Sequence, residues 1–223
     1  MTSAEIQQKV KGNPAAVLEA MTAYMRANKR MMTFQPSKLD IARTILAAQE
    51  PKPRIIVELG CYVGYSAVAW GAMLRDFHAG DASTDIKIYT CELDPKFVAI
   101  ARQHIELAGL SDVVEVVEGE SGESIRRLHA EGKLAAIDML FLDHWEKHYL
   151  PDTQLCEELH LFHNGSIILA DNTDMPGAPE YLAYVRAGGS GKPESLKYET
   201  KTYMAPESER GPVSHNSFTH NES

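Results

Sequence analysis

Four acidic residues, Glu58, Glu92, Asp143 and Asp171, sit at or next to the ends of short apolar, β-branched runs: RIIVEL (54–59), IKIYTCE (86–92), AIDMLFLD (136–143) and GSIILAD (165–171). In an open α/β sheet, ligands bind beyond the carboxyl ends of the strands, so these four carboxylates share one rim. Any one of them alone could simply cap the helix that follows. Four on one edge point to a ligand. Asp143 and Asp171, together with the adjoining Asn172, offer two carboxylates and an amide carbonyl. That is a hard-oxygen set suited to Mg²⁺ rather than zinc. Three protein ligands leave about three octahedral positions for water or substrate oxygens. A metal held this way orients a hydroxylated substrate and lowers the pKa of its hydroxyl. The spacing leaves a pair of buried helix caps open as the alternative. Glu92 precedes Asp94-Pro95, which start a helix, and a carboxylate there can accept both hydroxyls of a ribose.

The elements that must position these groups follow from periodicity. In the run VELGCYVGYS (57–66), a strand leads through Gly60 and Gly64 into a helix. The glycines permit a tight turn, and the turn aims free N–H groups at a ligand. The spacing is not G-x-G-x-x-G, so the pattern alone says little about a dinucleotide. Strands are expected at 54–59, 86–92, 113–118, 136–143 and 165–171, and helices at 65–77, 95–108, 121–132, 151–161 and 178–187. Near-continuous apolar strands separated by helices make a parallel sheet covered on both faces. The runs 196–204 and 213–219 have no long helix between them and read as a closing antiparallel pair. Ahead of the sheet, 15–26 and 39–48 read as helices, with an irregular stretch at 29–37 between them. The whole chain is expected to form one domain, with residues 1–50 as a helical cap and 54–219 as an α/β core.

Composition narrows the function. A net charge of −9 with no basic stripe argues against a nucleic-acid partner. No apolar run approaches the roughly 20 residues that span a bilayer. The three cysteines fit neither a disulfide framework nor a zinc site. With no basic-then-apolar leader visible, the chain is expected in the cytosol.

The segments GNPAAVLEAMTAY (12–24), VELGCYVGYSA (57–67), CELDP (91–95), DMLFLDHWEKHYLPDT (138–153) and LADNTDMPGAPEYLAYVR (169–186) resemble the catechol O-methyltransferases. The resemblance runs from about residue 12 to about 187. It implies a Rossmann-like class I methyltransferase fold with a seven-stranded sheet, using S-adenosylmethionine (SAM) and Mg²⁺ to methylate a catechol hydroxyl. By that resemblance Glu58 and Gly60 flank the turn under the methionine part, joined by Tyr62 and Ser66. Glu92 holds the ribose, while Ser121, His144 and Trp145 surround the adenine. Met32 lies near the sulfonium. Asp143, Asp171 and Asn172 are the metal ligands, and Pro176, Trp145 and Asn172 border the acceptor.

The departures lie on the acceptor side. The family's proton-accepting lysine, three residues after the first metal aspartate, is here Glu146. Lys147 follows one place later, about 100° away if the segment is helical. These two are the candidate catalytic residues. A family tryptophan aligns with Arg30, and a glutamate that grips the second hydroxyl aligns near Tyr203. The partner is expected to be a small molecule with vicinal oxygens, acted on by a monomer or weak homo-oligomer. Two alternatives stay open: a SAM-dependent enzyme on a non-catechol acceptor, and a SAM-binding protein whose catalysis has lapsed.

Overall fold

The computed structural model describes residues 10–28, 34–81, 83–191, 196–204 and 217–222, the last six by backbone alone. Arg30 and Met32 lie outside the described residues. The chain runs α1 (Pro14–Ala27), α2 (Pro36–Ala47), β1 (Ile55–Leu59), α3 (Tyr65–Phe77), β2 (Lys87–Glu92), α4 (Pro95–Leu107), β3 (Val114–Glu118), α5 (Ser121–Ala130), β4 (Ile137–Leu142), α6 (Tyr149–Glu158), β5 (Phe162–Asp171), α7 (Pro179–Arg186), β6 (Glu199–Met204) and β7 (Ser217–Glu222). The sheet order is β3-β2-β1-β4-β5-β7-β6. β1 to β5 pair in parallel, while β7 runs antiparallel between β5 and β6. This is the Rossmann-like methyltransferase architecture. Strand order reverses between β1 and β4, so the crevice for a ligand opens at their carboxyl ends.

Element boundaries shift where local chemistry overrides the apolar pattern. α2 starts at Pro36, three residues before the expected Leu39, because proline at the first helical position loses no hydrogen bond. That start brings Lys38 into the first turn. α5 stops at Ala130, before the left-handed Gly132. α6 occupies 149–158 rather than 151–161, and the chain turns through His160 (φ 53°) into β5, which begins at Phe162. Asn13 and Asp94 cap α1 and α4, accepting the N–H groups of Ala16 (3.1 Å) and Lys96 (2.8 Å). No side chain caps α3, whose N-cap is the left-handed Gly64 (φ 83°).

Alternation along the strands sorts the core into two layers. Ile56, Ile88, Met139, Phe141, Ile167 and Leu169 face the layer covered by α1 to α4. Val57, Leu59, Tyr89, Leu140, Leu142 and Ile168 face the layer under α5 to α7. The three cysteines are buried free thiols, and burial pushes Cys91 up to about 12, which excludes ready thiolate chemistry there. Among the described residues no helix is long and apolar enough to cross a membrane.

Candidate active site

The two-residue strand period decides where the acidic rim points. Glu58 shares the parity of Ile56; Glu92, of Ile88 and Thr90; Asp143, of Met139 and Phe141; Asp171, of Ile167 and Leu169. All four therefore project towards the face covered by the N-terminal helices. Register brings the last two together. Leu142 pairs with Ala170 in the parallel β4–β5 ladder, so Asp143 and Asp171 follow side by side on neighbouring chains about 4.8 Å apart.

Asp171 is buried, 4% exposed, and Asp143 keeps only partial solvent contact. Burial first, then the charge of Asp171, raises the Asp143 pKa well above the carboxylate range. Burial likewise raises Asp171, opposed by Lys38, whose buried ammonium donates to Asp171 Oδ1. Asn172 stands in a left-handed conformation (φ 53°) at the end of β5. Turned one way, its NH₂ donates to the two Asp171 carboxylate oxygens at 2.8 and 3.2 Å. Turned the other way, it sets a carbonyl oxygen against them, which only a cation between them makes favourable. Among the described residues no group of three His, Cys, Asp or Glu side chains is placed to hold a metal. The set here has two carboxylates and an amide, and its all-oxygen chemistry fits a magnesium ion.

Glu58 is fully buried and held by three donors. The Trp70 indole N–H reaches Oε1 at 3.1 Å, the Thr90 hydroxyl reaches Oε2 at 2.5 Å, and Ser66 adds a third bond. Burial outweighs these bonds and pushes its carboxyl up to about 7. Gly60 (φ 102°) serves the backbone. A Cβ there would lie 2.3 Å from the Asp143 carbonyl oxygen, so the glycine lets the ends of β1 and β4 close on each other. Glu92 accepts the N–H groups of Tyr62 (2.7 Å) and Asp94 (2.9 Å), which locks its carboxylate at the rim. The Tyr62 ring packs edge-on against Phe97, with centroids 4.4 Å apart.

Beyond β4, Asp152 ties Ser121 to His144. Its Oδ2 accepts the Ser121 hydroxyl at 2.7 Å and lies 2.8 Å from His144 Nε2. Asp152 thus accepts a hydrogen bond from Nε2–H and leaves Nδ1 as an acceptor, which is buried and has no hydrogen-bond partner among the described residues. Trp145 and Leu93, at the ends of β4 and β2, are each 70% exposed on this rim. A flat heterocycle covered by Trp145 would hide apolar surface and meet the vacant nitrogen.

A methyltransferase-domain profile matches residues 57–173. The chain is 38% identical over 186 residues to catechol O-methyltransferase of Mus musculus, covering 83% of this chain and 66% of that protein. It is 42% identical over 161 residues to the Sus scrofa enzyme of the same name, covering 72% of this chain and 81% of the relative. The chain belongs to the catechol O-methyltransferase family. It spans slightly less than two thirds of the mouse protein. The fold is shared with an O-methyltransferase from Bacillus cereus solved with SAH, at TM-score 0.71, 22% identity, and 93% and 90% coverage of the two chains.

Of the residues expected at the acceptor, Trp145, Glu146 and Lys147 share one cleft. Glu146 is half-buried, and its charge acts on both Asp143 and the buried Tyr149. The Lys147 ammonium lies over the Trp145 ring, 4.4 Å from its centroid. Glu146, Lys147 and Trp145 line a cleft of about 570 Å³ with Leu150, Gly177 and Tyr181. Pro176 is exposed in the turn 173–177, and Tyr203 on β6 is half-buried. Three residues that the spacing argument passed over belong to the site. Tyr149 stacks on His144 at 5.2 Å and donates to the Asp171 carbonyl at 3.1 Å. Asp152 organises the Ser121–His144 pair, and Lys38 pairs with Asp171. Lys38 had one legible signal: with Ala42, Ile45 and Leu46 it lies on the apolar stripe of α2.

Proposed function

We propose that the protein transfers the methyl group of SAM to a hydroxyl of a small molecule with neighbouring oxygens, using a magnesium ion held by Asp143, Asp171 and Asn172. The observation that carries this reading is the side-by-side pair of enclosed carboxylates at the ends of β4 and β5. Nothing in binding a nucleoside calls for them, and the single ammonium of Lys38 can match only one of their two charges. When bound, the ion supplies a Lewis acid that orients the acceptor and acidifies its hydroxyl.

The chain's own residues divide the remaining work. Glu58, Gly60, Tyr62, Ser66 and the uncapped start of α3 form the seat for the methionine end. Glu92, already fixed by two backbone N–H groups, turns its remaining lone pairs to the ribose. Ser121, His144 and Trp145 hold the adenine. The acceptor hydroxyl gives its proton to Glu146 or to solvent, and its oxygen bonds the methyl carbon. SAM bound in that seat would supply the methyl group and leave as SAH, its sulfur keeping the carbon–sulfur electron pair. Most of the acceleration then comes from alignment and from charge arranged in advance.

Glu146 favours an acceptor other than a simple catechol. A carboxylate beside a cation is a weaker base than a desolvated lysine, and Lys147 is engaged on Trp145. Pro176 and Tyr203 are assigned to the acceptor wall. The test is transfer of labelled methyl from SAM to a panel of catechols and cationic or anionic relatives. Asp143→Ala and Asn172→Ala should abolish transfer while SAM still binds. Turnover unchanged in a chelator would overturn the metal role.

A further inference from the structure

We propose that Lys38 is the resident counter-cation of the carboxylate pair: it holds Asp171 in place when no divalent ion is bound and, by its charge, weakens the binding of one. This rests on the metal reading above. Lys38 is 1% exposed, which is rare for a lysine, and it enters from α2, far from Asp171 in sequence. Its ammonium donates to Asp171 Oδ1 and lies 5.6 Å from the centre of the Phe34 ring. Its charge also reaches Asp143. A buried ammonium needs an anion, and a buried carboxylate beside a half-buried one needs a cation. Each satisfies the other.

The same pairing works against a second cation. With both carboxyls ionised, as metal binding requires, Asp143, Asp171 and Lys38 together carry one net negative charge, so a divalent ion meets a half-neutralised site. Without the lysine charge the pair presents two negative charges in a poorly screened interior, where the gain is large. Lys38 therefore acts as a positioning residue. It preserves the geometry of the empty site and keeps the ion exchangeable, leaving the acceptor's own oxygens to complete its hold.

The experiment titrates Mg²⁺ calorimetrically into SAM-free wild type, Lys38→Gln, Lys38→Arg and Asp143→Ala, and melts each protein in chelator and in Mg²⁺. Lys38→Gln keeps a hydrogen-bond donor to Asp171 without the charge. It should bind Mg²⁺ at least about tenfold more tightly than wild type. It should also melt lower in chelator and recover in Mg²⁺, while wild type changes little. Lys38→Arg should bind like wild type. If Lys38→Gln does not fold in chelator, folding on addition of Mg²⁺ supports the proposal. Lys38→Met repeats the titration without leaving a buried polar group. A folded charge-free variant that binds Mg²⁺ no more tightly overturns the proposal, as does failure of both Lys38→Gln and Lys38→Met to fold in Mg²⁺. If wild type still binds the ion and Asp143→Ala does not, only the lysine role falls. If no variant binds it, the metal reading falls too.

Discussion

Replacing Glu58 by Gln tests whether this site stores free energy in a buried acid. The carboxyl is enclosed and its pKa is raised from an ordinary 4.5 to about 7. At about 1.4 kcal/mol per tenfold change in proton affinity, that gap amounts to about 3 kcal/mol. The native state binds this proton more tightly than the unfolded chain does. The contribution is fully present below pH 4.5 and is lost as pH rises through 7. Glu58→Gln is neutral at every pH and keeps an oxygen for one of the Trp70 and Thr90 donors; the loss of the other acceptor does not change with pH and cancels across the profile. SAM-free wild type should therefore lose about 3 kcal/mol relative to the variant between pH 4 and 8. For a domain of this size that is a relative fall in Tm of about 6–12 °C. Calorimetric melts of the two proteins at one-unit pH steps read the difference directly. Parallel Tm profiles would refute the reasoning, because they would mean Glu58 is solvated or already ionised. With saturating SAM the profiles should converge, since a cationic ligand beside Glu58 favours its charged form.

Glu146→Lys restores the residue that the family carries at this place. It should raise kcat/KM on simple catechols by about tenfold to a hundredfold, within the range of a well-placed general base; no gain would show that this position does not meet the acceptor proton. Trp145→Ala removes an exposed indole and should weaken SAM binding by about 1–2 kcal/mol in calorimetry, with little change in Tm. Gly60→Ala forces a Cβ to 2.3 Å from the Asp143 carbonyl and a strained φ of 102°. It should cost more than about 3 kcal/mol in urea denaturation, and a variant as stable as wild type would mean the β1 and β4 ends do not close as described.

Much of the site was legible in sequence because its determinants are local. Apolar runs of strand length, each closed by an acid, fix both the parallel sheet and the rim on which Glu58, Glu92, Asp143 and Asp171 stand. The assignment of Ser121, His144 and Trp145 to a cofactor came from the family resemblance, because neither the glycine turn nor residue spacing points to an adenine. The boundary at α2 was missed because Pro36 looked like the end of an irregular stretch, whereas its fixed φ starts the helix that carries Lys38. Lys147, the other candidate base, sets its ammonium over the Trp145 ring, a placement that residue spacing does not give.

By itself, then, the chain's order of residues determined which oxygens lie at the strand ends, since period and punctuation act over a few neighbours. What only the folded molecule decided is how those charges are compensated. Lys38 and Asp171 lie 133 positions apart, and His144 finds its hydrogen-bond acceptor in Asp152 on α6. A charge taken out of water is stabilised by whatever its covering layer presents. That layer is chosen by how helices pack on the sheet, which no local pattern records.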